Sequence, residues 1–279
     1  MRLSAIQMNA GADKQANIAQ AARLIDAALA ADRPDMICLP ETWSSMGGDR
    51  ATRFANAETL PPPGSAEAGG PAYEFLRRLA RTRGLIVHGG SMTEAGGEKL
   101  FNTTVVFGRD GAEIARYRKI HLFDIIRPDG RGFMESNSFH AGRDIVTFTL
   151  EGLTIGCAIC YDLRFPELFL ALRRAGAELI MLPSAFTMPT GRDHWDILVR
   201  ARAIETQCWI AAPALFGRHL EGSRGEARLS YGHSMIVDPW GRVAAEVADG
   251  IGWASATIDP AITARVRRDM PVLAHRVLA

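Results

Sequence analysis

The sequence predicts an α/β protein with a core of two β-sheets and helices outside them. Short apolar runs at 35–39 (DMICL), 85–88 (LIVH) and 178–182 (ELIML) fit buried strands. Stretches with helical stripes alternate with them. The third observation is an internal echo: PDMICLPE (34–41) and AELIMLPS (177–184) both end an apolar strand with Leu-Pro-polar. Proline there breaks the ladder and turns the next residue out of the sheet. The echo and the matching order of elements predict two related halves within one domain, residues 1–279.

In chain order, residues 2–8 read as a strand. Asn17 to Ala31 read as a helix, with Ile18, Ala21, Ala22, Ile25 and Leu29 on one stripe. A Gly- and Pro-rich loop containing PPPGSAEAGGP (61–71) follows the 35–39 strand, then a helix at 72–83 and the 85–88 strand. FNTTVVFGRDGAEIARYRK (101–119) reads as a hairpin turning at Gly-Arg-Asp-Gly. Residues 122–144 contain Gly130, Gly132 and Gly142 and lack sustained periodicity, and so long a loop is often functional. The second half gives a strand at 153–159 closed by Cys160, a helix at 166–175, the 178–182 strand and a helix at 193–206. A strand at 208–214 and a hairpin at 231–247, turning at Asp238-Pro239-Trp240-Gly241, complete it.

The chain has 279 residues, 47% hydrophobic and 23% charged, with 32 basic against 31 acidic side chains. That balance implies no nucleic-acid or anionic-membrane partner. No apolar run approaches the length of a membrane span, and the N-terminus reads directly as a strand rather than a signal peptide. Four cysteines in a chain this long make no disulfide framework, so the expected compartment is the cytoplasm.

Cys160 leads the candidate residues. In LTIGCAICYDLRFPEL (153–168), Leu153, Ile155, Cys157 and Ile159 share one sheet face. Tyr161-Asp162 then turn the chain, and Pro166 suits the first turn of a helix. A thiol between a strand end and a helix N-terminus sits in positive potential, which favours the thiolate. From local context alone a small buried hydrophobe outweighs a nucleophile. Glu41 and Lys119 reverse that balance. The CxxC spacing of Cys157 and Cys160 invites a redox reading, but alternation sends the two side chains to opposite faces. No second CxxC or histidine pair near it suggests zinc.

Glu41 follows Pro40 at the end of an apolar strand, where desolvation should raise its pKa towards that of a useful general base. Lys119 shares a face with Ala115 and Tyr117, opposite Ile114, Arg116 and Arg118, and an inward ammonium there could stabilise an oxyanion. Glu135, in FMESNSFHAG (133–142), has no local signal and reads as an ordinary loop glutamate.

LPET (39–42), YRKIHLFD (117–124) and GCAICYDLRFPEL (156–168) together resemble the three motif regions of the nitrilase, or carbon–nitrogen hydrolase, superfamily, in that family's order. The resemblance continues through PSAFTMPTGRDHW, RARAIETQCW, YGHSMIVDPWG and MPVLAHR. It implies a four-layer α-β-β-α sandwich and a homodimer or larger homo-oligomer, with neither metal nor organic cofactor. Glu41 would be general base and acid, Lys119 the oxyanion stabiliser, Cys160 the nucleophile and Glu135 a second glutamate that positions substrate and lysine. The backbone N–H of Tyr161 would complete the oxyanion site. A small-molecule amide would pass through a thioester to acid and ammonia.

Tyr161-Asp162-Leu163-Arg164-Phe165-Pro166-Glu167 resembles the Nit amidase branch, whose members include omega-amidases and deaminated glutathione amidases. Phe165-Pro166-Glu167, TQCW (206–209) and YGHSM (231–235) lean to the second. Other amidases, carbamoyl-amide hydrolases and a non-catalytic oligomeric scaffold are the competing classes, and the intact Glu41, Lys119 and Cys160 argue against the scaffold. Carboxylate-bearing substrates call for a cationic anchor, with Arg127, Arg131, Arg192, Arg218 and His219 as candidates. Arg164 reads as an intramolecular ion-pair partner. His121 reads equally as a pocket residue or a structural one. The 122–144 loop departs from the Nit pattern at RPDGRGF.

Overall fold

Each half of the chain builds most of one sheet, and the last strand crosses back to the first sheet. A computed structural model describes residues 1–126, 130, 132–221 and 226–277. The first half runs β1 (Arg2–Gln7), α1 (Lys14–Asp32), β2 (Met36–Cys38), α2 (Arg50–Ala55), α3 (Pro71–Arg83), β3 (Ile86–His88), β4 (Met92–Gly96), β5 (Lys99–Phe107) and β6 (Glu113–Arg118). A small ribbon, β7 (Asp124–Ile126) with β8 (Gly132–Met134), follows inside the long loop. The second half runs β9 (Thr147–Leu150), β10 (Leu153–Cys157), α4 (Pro166–Arg174), β11 (Leu179–Met181), α5 (Met188–Thr206), β12 (Trp209–Ala212), β13 (Phe216–Glu221), β14 (Glu226–Tyr231), β15 (Met235–Val237), β16 (Val243–Glu246), β17 (Gly252–Thr257) and α6 (Pro260–Asp269).

One sheet has the order β17-β1-β2-β3-β5-β4, with β6 added on β5, and the other β16-β15-β12-β11-β10-β9. In each, three parallel strands (β1-β2-β3 and β10-β11-β12) are flanked by antiparallel ones. β2 and β11, which carry the Leu-Pro echo, hold the same central place in their sheets, so the expected relation between the halves is present.

Alternation sorts the side chains into layers. Leu3, Ala5, Met36, Cys38 and Ile86 join Ile155, Cys157, Leu179 and Met181 in one core between the sheets. Ile6, Ile37, Val87 and Phe107, one residue out of phase, pack with Ala21, Ile25, Ala28, Leu76 and Ala80 of α1 and α3. α4 and α5 cover the outer face of the second sheet. The architecture is the expected four-layer α-β-β-α sandwich.

Most boundaries agree with expectation within a few residues. α1 begins earlier, because the Asp13 side chain accepts from the Ala16 N–H and caps it. α5 begins earlier too, with Pro189 in its first turn. The 231–247 hairpin is shorter: Gly232 and His233 take positive φ and send Tyr231 into the β13-β14 ribbon. β17 gave no local signal. Its sequence, GWASAT, is poor in strand formers, yet all six residues pair with β1 at the far end of the chain. α6 buries only Thr263 and Val266, too thin a stripe to stand out. β4, β7, β8, β9, β13, β14 and the short α2 also went unpredicted.

Cys157 is fully buried between the sheets, and all four cysteines are free. Cys157→Ala should therefore cost about 1 kcal/mol of stability, the loss of one buried heavy atom with partial collapse of the space. Urea unfolding would read this. The rate of native-state alkylation of Cys160 should be unchanged, and a large change would refute the strand register.

Candidate active site

Glu41 leaves the sheet where the ladder fails. Leu39 still donates to the His88 carbonyl at 3.2 Å, but Pro40 has no N–H to give. The turn is held from β3: Ser91 N–H donates to the Pro40 carbonyl at 3.1 Å, and Ser91 Oγ accepts from Thr42 N–H at 3.0 Å. Gly90 permits this approach, since a Cβ on it would lie 2.1 Å from the Pro40 oxygen and its φ is +59°. Glu41 is thereby turned inward and is only 5% exposed.

Lys119 follows the last residue of β6, and the alternation that buries Tyr117 buries it too. Its Nζ lies 3.0 Å from Glu41 Oε1 and 3.0 Å from Glu135 Oε2. Glu135 opens a 3-10 turn, Glu135–Asn137, and its Oε2 also accepts from Phe123 N–H at 2.6 Å. The loop glutamate is thus an ion-pair partner whose side chain is 10% exposed. Asn102, on β5, donates from Nδ2 to Glu41 Oε1 at 2.9 Å.

β10 ends at Cys157, three residues before Cys160. Ala158 N–H donates to Met181 O and Cys160 N–H to Pro183 O, both at 3.0 Å, so the chain follows the exit of β11. Cys160 then adopts φ +46° and opens a 3-10 turn, Cys160–Arg164. A non-glycine residue pays about 1–2 kcal/mol for that conformation, and such strain gathers at functional sites. The thiol shares the chamber with Glu41, Lys119 and Ala185. Tyr161 N–H is in the first turn, where an N–H has no intrahelical acceptor.

Asp162 holds this turn. It is fully buried and accepts from Tyr117 OH (2.7 Å), Ile159 N–H (2.8 Å) and His121 N–H (3.0 Å), with His121 Nδ1 at 2.7 Å. The His121 ring stacks on Phe165 with centroids 3.7 Å apart. His121 is a structural residue that joins the end of β6 to the cysteine turn.

Two electrostatic expectations are reversed. Burial does push the Glu41 carboxyl up, but the Lys119 ammonium, the hydrogen bonds of Cys160 and Lys119, and the more distant Arg228 outweigh it, leaving the pKa below its ordinary 4.5. Burial and the Glu41 charge push the Cys160 thiol well above its ordinary range, despite Lys119. The resting pair is therefore a thiol beside a carboxylate, where the sequence suggested a thiolate. Burial alone would strip Lys119 of its proton, but Glu135 and Glu41 overcome this and raise its pKa.

Glu41, Lys119, Glu135, Cys160 and Tyr161 line one chamber of about 80 Å³ with Phe123, Phe133, Phe139 and Phe186. The long loop borders the site, as expected. The anchor candidates fare differently. Arg127 and Arg131 lie outside the described residues. Arg192 and Arg218 are exposed and do not line the chamber. His219 is buried, with Nδ1 2.6 Å from Ala10 O, and burial brings its pKa down to about 4, so it is no cationic anchor at neutral pH. Arg164 forms no ion pair among the described residues. Its guanidinium lies 5.5 Å from the Phe186 centroid and near His194, and it lines the chamber. Asn102, Asp162 and Arg228 were missed. For Asn102 a signal existed, an amide inside the apolar strand LFNTTVVF.

A buried thiol beside an ionised carboxylate and an ammonium is equipment for nucleophilic acyl transfer. The carbon–nitrogen hydrolase family profile matches residues 2–268. The chain is 37% identical over 284 residues to the deaminated glutathione amidase of Synechocystis sp. (strain PCC 6803 / GT-S), covering 98% of this chain and 97% of that one. It is 41% identical over 276 residues to the Homo sapiens protein of that name, with 97% and 80% covered. The crystal structure of Saccharomyces cerevisiae Nit3, a member of branch 10 of the nitrilase superfamily, matches with a TM-score of 0.86 at 30% identity, covering 100% of this chain and 97% of that one. The chain belongs to the carbon–nitrogen hydrolase family of the nitrilase superfamily and is an amide-hydrolysing enzyme.

Asp162→Ala would leave Tyr117 OH and two N–H groups buried without acceptors. It should cost about 3 kcal/mol or more, since each such group costs about 1–3 kcal/mol. Chemical unfolding reads it, and a loss under 1 kcal/mol would deny Asp162 this role.

Proposed function

We propose that this enzyme is a deaminated glutathione amidase in which Cys160 is the nucleophile. The observation that carries the reading is the Lys119 ammonium, 3.0 Å from both Glu41 and Glu135, in the chamber that holds the Cys160 thiol. Glu41 takes the thiol proton as Cys160 attacks the amide carbonyl, so negative charge moves from carboxylate to sulfur without any new charge in the buried site. Lys119 and the Tyr161 N–H receive the oxyanion. Protonated Glu41 then gives its proton to the leaving amine, and the acyl group stays on Cys160 as a thioester. Glu41 next takes a proton from water, the hydroxyl adds to the thioester, and the acid leaves as the thiol is reprotonated. Glu135 holds Lys119 in position.

The two relatives' shared name and the charge of the chamber support the substrate. Lys119, Arg53, Arg164 and Arg228 face only Glu41 and Glu135 among its described charged side chains, a balance that suits an anion. In deaminated glutathione the scissile amide joins a keto acid to the nitrogen of cysteinylglycine, so the amine that leaves is the dipeptide's. Ammonia leaves only from a primary carboxamide such as 2-oxoglutaramate. The reading includes one domain over the whole chain, supported by the profile match over residues 2–268. It also includes a homo-oligomer in the cytoplasm. Ile197, Ile204 and Trp240 form an exposed apolar surface on α5 and the turn against it, and the four free thiols suit a reducing compartment. Among the described residues no helix is long and apolar enough to cross a membrane.

Turnover of deaminated glutathione, 2-oxoglutaramate and a simple aliphatic amide, with Cys160→Ala as blank, tests the proposal. Deaminated glutathione should be preferred, and the variant should be inactive yet folded by circular dichroism. Residual activity would remove Cys160 as nucleophile, and preference for another amide would change the substrate.

The pH profile tests Glu41 separately. Its lowered pKa keeps it ionised as pH falls past 4.5, so the acid limb of kcat/KM should lie below that value. A limb between 6 and 7 (about the range of a raised carboxyl) would contradict the resting carboxylate.

A further inference from the structure

The chamber opens into a second, larger hollow of about 870 Å³, walled by Ile125, Ile126, Met188, Pro189, Ala227 and Leu229. The two spaces share Phe123, Tyr161, Arg164, Thr187, Thr190 and Arg228, so these residues form the passage between them. Two of the six are arginines, and they differ in what already occupies them. Arg164 is held between Tyr161 and Phe186, with Nη2 3.3 Å from His194 Nδ1. Arg228 makes no ion pair among the described residues. Its Nη2 donates to the Ala185 carbonyl, its guanidinium lies 5.7 Å from the Phe133 ring centroid, and its Nε is buried without an acceptor. Arg53, the other arginine of the chamber, also has a buried Nε without an acceptor, but it does not line the passage between the two spaces.

We propose that Arg228, on β14, is the receptor for a carboxylate carried on the acyl portion of the substrate, and so determines specificity for amides of short dicarboxylic acids. This deepens the proposed function and rests on its assignment of the attacked carbon to Cys160. Three facts converge. The group is a cation with an unused buried N–H. It is braced on the carbonyl of Ala185, which lines the chamber with Cys160. It stands at the mouth of a chamber too small to hold a long substrate whole. Arg228 lines the same small chamber as Cys160, so a carboxylate bound here belongs on a short acyl chain, as in the keto-acid half of deaminated glutathione. The inner chamber then takes the acyl chain, and the leaving amine has the apolar hollow as its exit. A guanidinium suits this place because its planar fork presents two parallel N–H groups to a carboxylate, which an ammonium cannot do.

The test compares an N-alkyl glutaramate, which carries the free carboxylate, with the N-alkyl pentanamide of the same leaving amine, in wild type, Arg228→Gln and Arg228→Lys. The wild type should prefer the anion. Arg228→Gln should lower kcat/KM on the anion by about 100-fold or more, the scale for losing one partner of a buried charge pair. Most of that loss should appear in KM, and the anion-to-neutral preference should fall by at least about tenfold. Arg228→Lys should restore part of the preference, because charge returns without the fork. Equal losses on both substrates, or a wild type without preference for the anion, would overturn the proposal. These substrates contain no cysteinylglycine, so a wild type inactive on deaminated glutathione but selective for the glutaramate would discard that substrate and leave Arg228 its role.

Discussion

The Lys119 ammonium, buried between Glu41 and Glu135, is the interaction on which the rest of the site depends. A buried cation without partners would lose its proton, and a buried carboxylate would gain one. Here three ionised groups from the exit of β2, the end of β6 and the long loop sustain one another. Removing one leaves an uncompensated charge in a dry place, which costs far more than a surface pair contributes. Assembly of the site and docking of the loop are therefore one event. Phe123 N–H binds the same Glu135 carboxylate that holds the lysine, so the loop is stitched to the site at both ends of that carboxylate's reach.

The same cluster decides where protons rest. Sequence position alone suggested a thiolate at a helix N-terminus and a glutamate with a raised pKa. Contact geometry inverts both. The ammonium next to Glu41 stabilises its charge by more than burial penalises it, and an ionised Glu41 in turn makes a second anion on Cys160 unfavourable. A thiol–carboxylate pair coupled in this way holds one negative charge and can shift it from oxygen to sulfur, with Lys119 beside both positions.

The relation between the halves gives one local device two uses. On β2, Leu39-Pro40 ends the ladder and turns Glu41 inward. Where the equivalent strand β11 ends, at Leu182-Pro183, Pro183 O accepts from Cys160 N–H and Ala185 O from Arg228 Nη2. One copy of the turn supplies a side chain and the other supplies backbone groups. The strained φ of Cys160 is held between that second turn and Asp162, whose bonds to Tyr117 and His121 tie it to the strand that delivers Lys119.

By itself the sequence determined the two-sheet α/β core, the inward face of Lys119 and, through motif order, the grouping of Glu41, Lys119, Glu135 and Cys160. Each of these is written in short-range pattern: a two-residue period, a proline after an apolar run, a motif of a few residues. Tertiary structure alone decided the pairing of β17 with β1, the grip of Asp162, the support of Glu41 by Asn102, the exposure of Arg218 and the position of Arg228 at the mouth of the chamber. Each of those depends on which distant residue comes within a few ångströms. The pKa directions belong with them, because burial and a neighbouring charge act in opposite senses and only the distance between charges says which prevails.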